Sequence, residues 1–335
     1  MAGQVGEEMS NLVVAVDLGG TQLRTALYDA RYQMLARHAG PTDAQQGVEA
    51  VVDRLVEAVH RIGAEAGWDQ IAAVGVSAPG PLDPRRGVIH WAPNLPGWRD
   101  VPLAGRLRSA VGRPVFLGND GNLAALAEQR QGAGQGQSDL VYLTVSTGIG
   151  GGVISEGRLI LGRGGLGGEV GHMTIEANGP RCNCGNIGCL EALASGTAIA
   201  RQAQELIAGG TQTLIADLAG GDRDRISARL VYEAAIQGDE VAVDLFRKAG
   251  SYLGIGIINL MYLFNPGMIV IGGGVSKSGD LLFGPMQATI RQRIHPIYWS
   301  HCSIVRAALG DDVCLLGAAI LALESVGALP TAGDF

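Results

Sequence analysis

The sequence predicts an α/β protein large enough for two domains. Its 335 residues exceed what one small core needs, and 47% hydrophobic against 17% charged residues is typical of a globular chain. Apolar runs of strand length alternate with segments of helical periodicity, which is the pattern of α/β architecture. Two units of strand, glycine-rich turn and strand begin at Leu12 and at Leu140. They lie roughly one domain length apart and suggest an internal duplication.

The individual elements follow from local patterns of apolar residues and turn residues. Residues 12–17 form an apolar run that ends at an acidic residue, and residues 140–145 precede the glycine-rich stretch 146–152, which we predict to be a turn. The other main elements predicted are, in chain order, a helix over 47–66, strands over 71–76 and 114–117, a helix over 121–130, a strand over 268–271 and a helix over 313–325.

Neither a membrane segment nor an export signal is predicted. Residues 251–276 carry no charge, but Asn265, Pro266 and Gly267 interrupt them, so we expect a buried helix followed by a buried strand. No basic stretch followed by an apolar one opens the chain, and the first ten residues are expected to form a disordered leader. We therefore expect a cytoplasmic protein.

The charge balance limits the partners and the chemistry. A net charge of −7 argues against a nucleic-acid surface. Only two lysines are present, Lys248 and Lys277, and the Walker A pattern G-x-x-x-x-G-K-[ST] is absent. A G-x-G-x-x-G match at residues 162–167 is not followed by a helical pattern, which argues against a dinucleotide-binding site.

The glycine turns are candidates for a phosphate site. The first contains Gly19, Gly20 and Thr21, and the second contains Thr147 and Gly148. Glycine lets backbone N–H groups approach phosphate oxygens, so two such turns can hold a nucleotide without a lysine. Asp17, at the end of its strand, would hold Mg²⁺ directly or through water. The alternative is that both segments are ordinary hairpin turns.

A polar pair lies between a predicted strand and a predicted helix. Asp120 is placed to accept the proton of a substrate hydroxyl that attacks phosphorus, and Asn119 offers a donor and an acceptor for a sugar hydroxyl. The alternative is that Asp120 is only the N-cap of the helix.

Cysteine spacing predicts a metal centre. Cys182, Cys184 and Cys189 form a C-x-C-x₄-C pattern, and His172 lies ten residues before it. Three thiolates and one imidazole make a closed tetrahedral zinc site, which is typical of a structural metal. Free thiols or a disulfide are the alternatives. Two carboxylates flank the cluster in sequence and are candidate sugar ligands or solvated surface groups: Glu169 and Glu191.

Taken together, these motifs resemble the ROK family (repressors, open reading frames, kinases). The motifs are DLGGT at 17–21, NDGN at 119–122, TGIGGG at 147–152, EVGH at 169–172 and CNCGNIGCLE at 182–191. The resemblance covers about residues 12–325 in the same order. It implies the actin/hexokinase-like ATPase fold, with duplicated ribonuclease H-like domains and an inserted zinc-binding segment. The domains expected are 10–119 completed by a C-terminal helix at 312–328, and 120–311, which contains the zinc motif.

The resemblance also implies roles for individual residues. Asp120 would be the catalytic base, and His172 would serve zinc through one ring nitrogen and sugar through the other. The implied sugar ligands are Gly80, Asn94, Asn119, Asp120, Glu169, His172 and Glu191. The turns at residues 19–21 and 147–148 would hold phosphates. The implied adenosine contacts are Gly272, Gly273 and Gly274.

We therefore expect an ATP-dependent hexokinase that acts on the 6-hydroxyl of glucose, with Mg-ATP as co-substrate and one structural zinc. The preference for glucose rests on likeness to the glucokinase branch, including Asn94 to Trp98 (NLPGW). Kinases of N-acetylglucosamine or N-acetylmannosamine and a non-catalytic sugar sensor remain alternatives. A repressor is disfavoured because only sixteen residues precede Asp17. A homodimer or higher homo-oligomer is expected because dimers are common in the family.

Overall fold

The computed structural model describes residues 12–327, so the predicted leader and the outermost ends of the predicted domains, residues 10, 11 and 328, lie outside the described residues. The strands β1 to β13 are, in order, Leu12–Leu18, Gln22–Tyr28, Met34–Pro41, Ile71–Ala78, Leu82–Asp83, Val88–Trp91, Arg99–Val101, Val115–Asn119, Leu140–Val145, Ile149–Ser155, Arg158–Leu159, Met268–Gly272 and Ser303–Arg306. The helices α1 to α11 are, in order, Gly47–Ala64, Leu103–Val111, Asp120–Gln131, Leu190–Ala194, Gly196–Ala208, Leu214–Leu218, Ala228–Ala235, Glu240–Phe264, Asp280–Arg293, Pro296–His301 and Val313–Ser325.

The chain forms two compact units. Within the described residues, the first contains 12–127, 158–167 and 309–327, and the second contains 128–157 and 168–308. The chain passes from one unit to the other inside helix α3, after Ala127, whereas the domain limit expected from the sequence lies just before that helix. The last helix, α11, belongs to the first unit although it lies at the far end of the sequence.

The first unit is built on a five-stranded sheet of order β3-β2-β1-β4-β8. Strand β1 pairs antiparallel with β2 and parallel with β4, and β4 pairs parallel with β8. Strand β1 is buried along its whole length, and its alternate side chains enter separate clusters: Val14 and Val16 contribute to one, and Val13 and Ala15 to the other. Helices α1 and α2 supply the first cluster, and α3 and α11 supply the second. A sheet covered on both faces explains why β1 is a continuous apolar run.

The second unit repeats this plan. Its strands lie in the order β10-β9-β12-β13, with β10 antiparallel to β9 and both β9–β12 and β12–β13 parallel. The order and directions match those of β2-β1-β4-β8. The internal duplication predicted from two strand–turn–strand units is therefore confirmed.

The second glycine-rich stretch differs from the prediction. Only residues 146–148 turn, and Gly150, Gly151 and Gly152 belong to strand β10. A Cβ on Gly151 would lie 2.3 Å from the Tyr142 carbonyl oxygen and 2.7 Å from the side chain of Val170. This glycine permits close packing on the strand and does not turn the chain.

The uncharged stretch folds as expected into a helix and a strand. Helix α8 ends at Phe264 and is capped by Asn265, which takes the left-handed conformation at φ 44° and donates its N–H to the Met261 carbonyl. Strand β12 follows. Gly250 and Gly254 bring α8 close to α9, since a Cβ on either would lie within 3 Å of an α9 carbonyl oxygen. Among residues 12–327, no helix combines the length and the hydropathy that crossing a bilayer requires.

Close packing of α11 on β4 depends on one glycine. A Cβ on Gly75 would lie 1.9 Å from the carbonyl oxygen of Ala318. We expect Gly75→Ala to lower the free energy of unfolding by about 1–3 kcal/mol, because helix and sheet must separate to admit the methyl group. Urea denaturation measures the change.

Gly105 supplies the matched control. It lies inside helix α2, is exposed, and a Cβ there would meet no atom within 4 Å. Gly105→Ala should raise the free energy of unfolding by about 0.5–1 kcal/mol, because alanine loses less backbone entropy in a helix. Equal effects of the two substitutions would contradict this account of the β4–α11 contact.

Candidate active site and metal centre

The predicted site residues of the first unit gather at one edge of its sheet. Asp17 lies near the carboxyl end of β1, Gly80 follows β4, and Asn119 and Asp120 lie where β8 becomes α3. These three strands are parallel neighbours, so their carboxyl ends lie side by side. This edge is where open α/β sheets usually bind ligands.

Asn119, and not Asp120, caps helix α3. The Asn119 Oδ1 accepts the N–H of Gly121 at 2.9 Å and that of Asn122 at 3.3 Å, while its Nδ2 donates to the Gly80 carbonyl at 3.2 Å. Asp120 is the first residue of the helix, is exposed, and accepts the Gly121 N–H at 2.8 Å. The interpretation of Asp120 as merely the N-cap is therefore wrong, because the side chain of Asn119 caps the helix.

Asn94 lies against the first glycine turn. A Cβ on Gly20 would lie 2.7 Å from the Cβ of Asn94, so the backbone can approach this residue only because glycine stands there. Leu95 and Trp98 are each 1% exposed and belong to the apolar core, whereas Asn94 is exposed. The buried pair anchors the NLPGW segment and holds the amide of Asn94 at the surface.

Arg24 is a partner of Asp17 that sequence reasoning missed. The two residues are opposite each other in the β1–β2 register, and the guanidinium lies 2.7 Å from the carboxylate. Burial raises the pKa of Asp17, and the charge of Arg24 opposes that rise. Arg24 also donates to the Asp311 carbonyl at 2.6 Å, so its guanidinium is held by the segment just before α11 as well as by the Asp17 carboxylate. The available signal was a single charge in an otherwise uncharged strand, because Arg24 is the one charged residue in β2.

The predicted nucleotide residues of the second unit also lie at strand ends. Thr147 and Gly148 follow β9, and residues 272–274 end or follow its parallel neighbour β12. Gly273 has φ 88°, and its Cβ position lies 2.4 Å from the Val145 carbonyl oxygen, so the two turns are in contact. Both turns line one cavity of about 830 Å³, which also contacts helices α5, α7 and α8.

The four predicted metal ligands converge in the second unit. Their ligand atoms all lie within 4.8 Å of one another. The sulfurs of Cys184 and Cys189 are 3.7 Å apart, and the sulfur of Cys182 is 3.8 Å from the Nδ1 of His172. A tetrahedral zinc with Zn–S bonds of about 2.3 Å has an S–S edge of about 3.8 Å, so the cluster fits that metal.

The local structure around the cluster explains how it forms. Gly185 and Gly188 have φ of 95° and 70°, which lets the backbone reverse between the cysteines. Cys182 and Cys189 are buried, and burial raises the pKa of Cys182 to about 12. Burial therefore favours the protonated thiol in the metal-free cluster, and metal binding would displace that proton.

The two flanking carboxylates occupy different positions. Glu191 is the second residue of α4, and its Oε2 accepts the N–H of Ile149 at 2.9 Å. Glu169 is exposed and precedes the short 3₁₀ helix Val170–His172, where its carbonyl accepts the His172 N–H. The bond from Glu191 to the turn after β9 was not predicted, because residues 149 and 191 are far apart in sequence.

The chain is similar in sequence to known sugar kinases and matches a family model. The family model described as "ROK family" matches residues 13–325. A glucokinase of Thermotoga maritima is 38% identical over 94% of this chain and 98% of its own length. An N-acetylmannosamine kinase of Shigella flexneri is 36% identical over 92% of this chain and 98% of its own length.

A solved structure indicates the same family. The crystal structure of a ROK family glucokinase from Streptomyces griseus in complex with glucose and AMPPNP superposes with a TM-score of 0.79 at 36% identity, covering 94% of this chain and all of that one. The actin/hexokinase-like α/β fold expected from the motifs is confirmed. Because the family model spans nearly the whole described chain, this protein belongs to the ROK family.

Proposed function

We propose that this protein is an ATP-dependent hexose kinase that transfers the γ-phosphoryl group to the 6-hydroxyl of glucose. The carboxylate of Asp120 acts as the general base. One observation carries the assignment: Asn119 caps α3 and leaves Asp120 as an exposed carboxylate at the ligand-binding edge of the sheet. The Asn119 side chain satisfies the helix N–H groups of Gly121 and Asn122, and the side chain of Asp120 is exposed where a substrate hydroxyl can reach it.

The transfer step needs little covalent chemistry from the protein. Asp120 accepts the proton of the sugar 6-hydroxyl as its oxygen bonds to the γ-phosphorus, and the bond from that phosphorus to the β,γ-bridging oxygen breaks to release ADP. The proposed sugar ligands are Gly80, Asn94, Asn119, Asp120, Glu169, His172 and Glu191. For His172, the Nδ1 is assigned to the metal, because it lies 3.8 Å from the Cys182 sulfur, and the Nε2 to the sugar.

The nucleotide is assigned to the glycine turns. Gly19, Gly20, Thr21, Thr147 and Gly148 present backbone N–H groups or hydroxyls to the phosphates. Residues 272–274 border the adenosine, and the 830 Å³ cavity beside them is within the usual range for a small-molecule site. Asp17 is assigned to the magnesium of Mg-ATP. Its contact with Arg24 favours a bond through water, because one side of the carboxylate is already occupied.

The cysteine cluster is assigned to one structural zinc. Its ligands are His172, Cys182, Cys184 and Cys189, whose separations fit a closed tetrahedron. The metal supplies folding energy and holds the surrounding loop, and the four protein ligands leave no coordination position for substrate.

Glucose is the proposed sugar because the family members compared above include glucokinases, one of them solved with glucose and AMPPNP. The similar N-acetylmannosamine kinase makes 2-substituted hexoses the main competitors. We further propose a homo-oligomer that works in the cytoplasm with small-molecule partners only. Its functional domains would be 10–119 with 312–328, and 120–311.

We expect Asp120→Asn to lower turnover about a thousandfold, because the amide cannot accept the hydroxyl proton during phosphoryl transfer. Coupled detection of ADP at saturating glucose and Mg-ATP measures the effect. Asp69→Asn, at an exposed carboxylate elsewhere in the first unit, is the matched control and should retain full turnover. Turnover within tenfold of the wild type in Asp120→Asn would exclude the general-base role.

A sugar panel tests the substrate assignment. We expect kcat/KM for glucose to exceed the values for mannose, fructose, N-acetylglucosamine and N-acetylmannosamine, measured as ADP release from Mg-ATP. A preference for an N-acetylated sugar would move the protein to that branch of the family. Sugar-dependent thermal stabilisation with no turnover of any sugar would identify a sensor.

The metal assignment makes a separate prediction. Elemental analysis should find about one zinc per chain, and removing it should lower the melting temperature by about 5 °C or more, because metal binding contributes to folding. Cys184→Ser should lose the zinc. Cys302→Ser, at a buried cysteine outside the cluster, should keep it. Full zinc content in Cys184→Ser would refute the ligand set.

A further inference from the structure

The turn after β9 is held by the segment that follows the last metal ligand. Gly196 donates its N–H to the Ser146 carbonyl at 2.7 Å, and the Thr197 hydroxyl donates to the Thr147 carbonyl at 2.9 Å. Both donors lie at the start of α5, immediately after α4. Two successive carbonyls of the turn are therefore fixed from the α4–α5 corner.

Glu191 holds the turn from its other end. Its Oε2 accepts the Ile149 N–H at 2.9 Å, and the position of a Cβ on Gly148 would be only 2.3 Å from that oxygen. The carboxylate can approach the turn because residue 148 is glycine. Its other oxygen, Oε1, lies 3.7 Å from the Cys182 sulfur. One side chain thus contacts both the turn and the metal centre.

The placement of Glu191 depends on the metal centre. Helix α4 has five residues, too few to be stable alone, and it begins directly after Cys189. The N–H of Leu190, its first residue, donates to the Met173 carbonyl at 2.9 Å, beside His172. Contacts with the cluster therefore determine where α4 starts and where the Glu191 carboxylate points.

We infer that Glu191 is a positioning residue that couples the metal centre to nucleotide binding. It holds the Ile149 amide so that the amides of Thr147 and Gly148 keep the orientation that phosphate requires. The inference rests on the proposed function, which assigns this turn to the phosphates of ATP. Coupling is reciprocal: an ordered metal centre tightens nucleotide binding, and bound nucleotide tightens metal binding by the same factor.

The sign of the expected effect separates positioning from simple electrostatics. A carboxylate beside a phosphate site repels the ligand, so a purely electrostatic role predicts tighter nucleotide binding whenever the charge is removed. A positioning role predicts weaker binding whenever the acceptor is removed, whatever happens to the charge. Glu191→Gln keeps an acceptor oxygen and loses the charge, whereas Glu191→Ala loses both.

The test measures binding of the ATP analogue Mg-AMPPNP to the zinc-loaded protein by calorimetry, without sugar. We expect Glu191→Ala to raise Kd about tenfold, as for loss of one charge-assisted hydrogen bond, and Glu191→Gln to bind at least as tightly as the wild type. Glu191→Asp, which keeps the charge but withdraws it by one methylene, should also bind more weakly and serves if the alanine variant does not fold. Omitting sugar removes any effect of Glu191 as a sugar ligand.

Glu205→Ala is the control. This carboxylate also lies in the second unit, but it is exposed and pairs with Arg201 within α5. Its substitution should leave the Kd for Mg-AMPPNP unchanged within about threefold.

Metal affinity provides a readout independent of activity. In the wild type, Mg-AMPPNP should lower the fraction of zinc that a chromophoric chelator takes up at equilibrium, and in Glu191→Ala this effect should disappear. Equal Kd values for the wild type and Glu191→Ala, or a wild-type zinc affinity that does not change when nucleotide binds, would overturn the coupling while leaving the kinase assignment intact. Failure of the wild type to bind Mg-AMPPNP would overturn the proposed function and the coupling with it.

Discussion

The parallel pairing of a few short strands is the constraint on which the rest of this structure depends. It brings the carboxyl ends of β1, β4 and β8 to one edge in the first unit, and those of β9 and β12 to one edge in the second. Side chains that follow strands distant in sequence thereby become neighbours. Glycines such as Gly20 and Gly273 are needed at these edges because other backbone segments approach them closely, at Asn94 and at Val145 respectively.

The same strand arrangement occurs in both units, but the groups at the strand ends differ. In the first unit, the strand ends carry carboxylates, and Asn119 caps α3 so that Asp120 is left at the surface. In the second, they carry backbone turns, and a short helix anchored at Cys189 holds one of those turns. The repeated sheet only determines where these groups lie. The loops and helices added to it determine what each edge can bind.

Much of the site could be predicted from the sequence because its elements are local. Glycine turns, a C-x-C-x₄-C pattern and a polar pair between a strand and a helix each have their chemistry within a few residues. The contacts that were missed join distant segments. Arg24 reaches Asp17 through strand register, and Glu191 reaches Ile149 across 42 residues. Nothing in the composition of either segment identifies its partner, because pairing of this kind is set by the sheet and by the metal loop.

The sequence by itself determined the α/β class, the main strands and helices, the cluster of three cysteines and one histidine, and the family, since each depends on periodicity or on residue types at fixed spacing. Only the tertiary structure decided which residue caps α3, why glycines 150–152 belong to a strand, and which groups hold the turn after β9. These outcomes depend on distances between segments that are remote in the chain. Such distances arise when the sheet closes and the helices pack on it, and no local pattern encodes them.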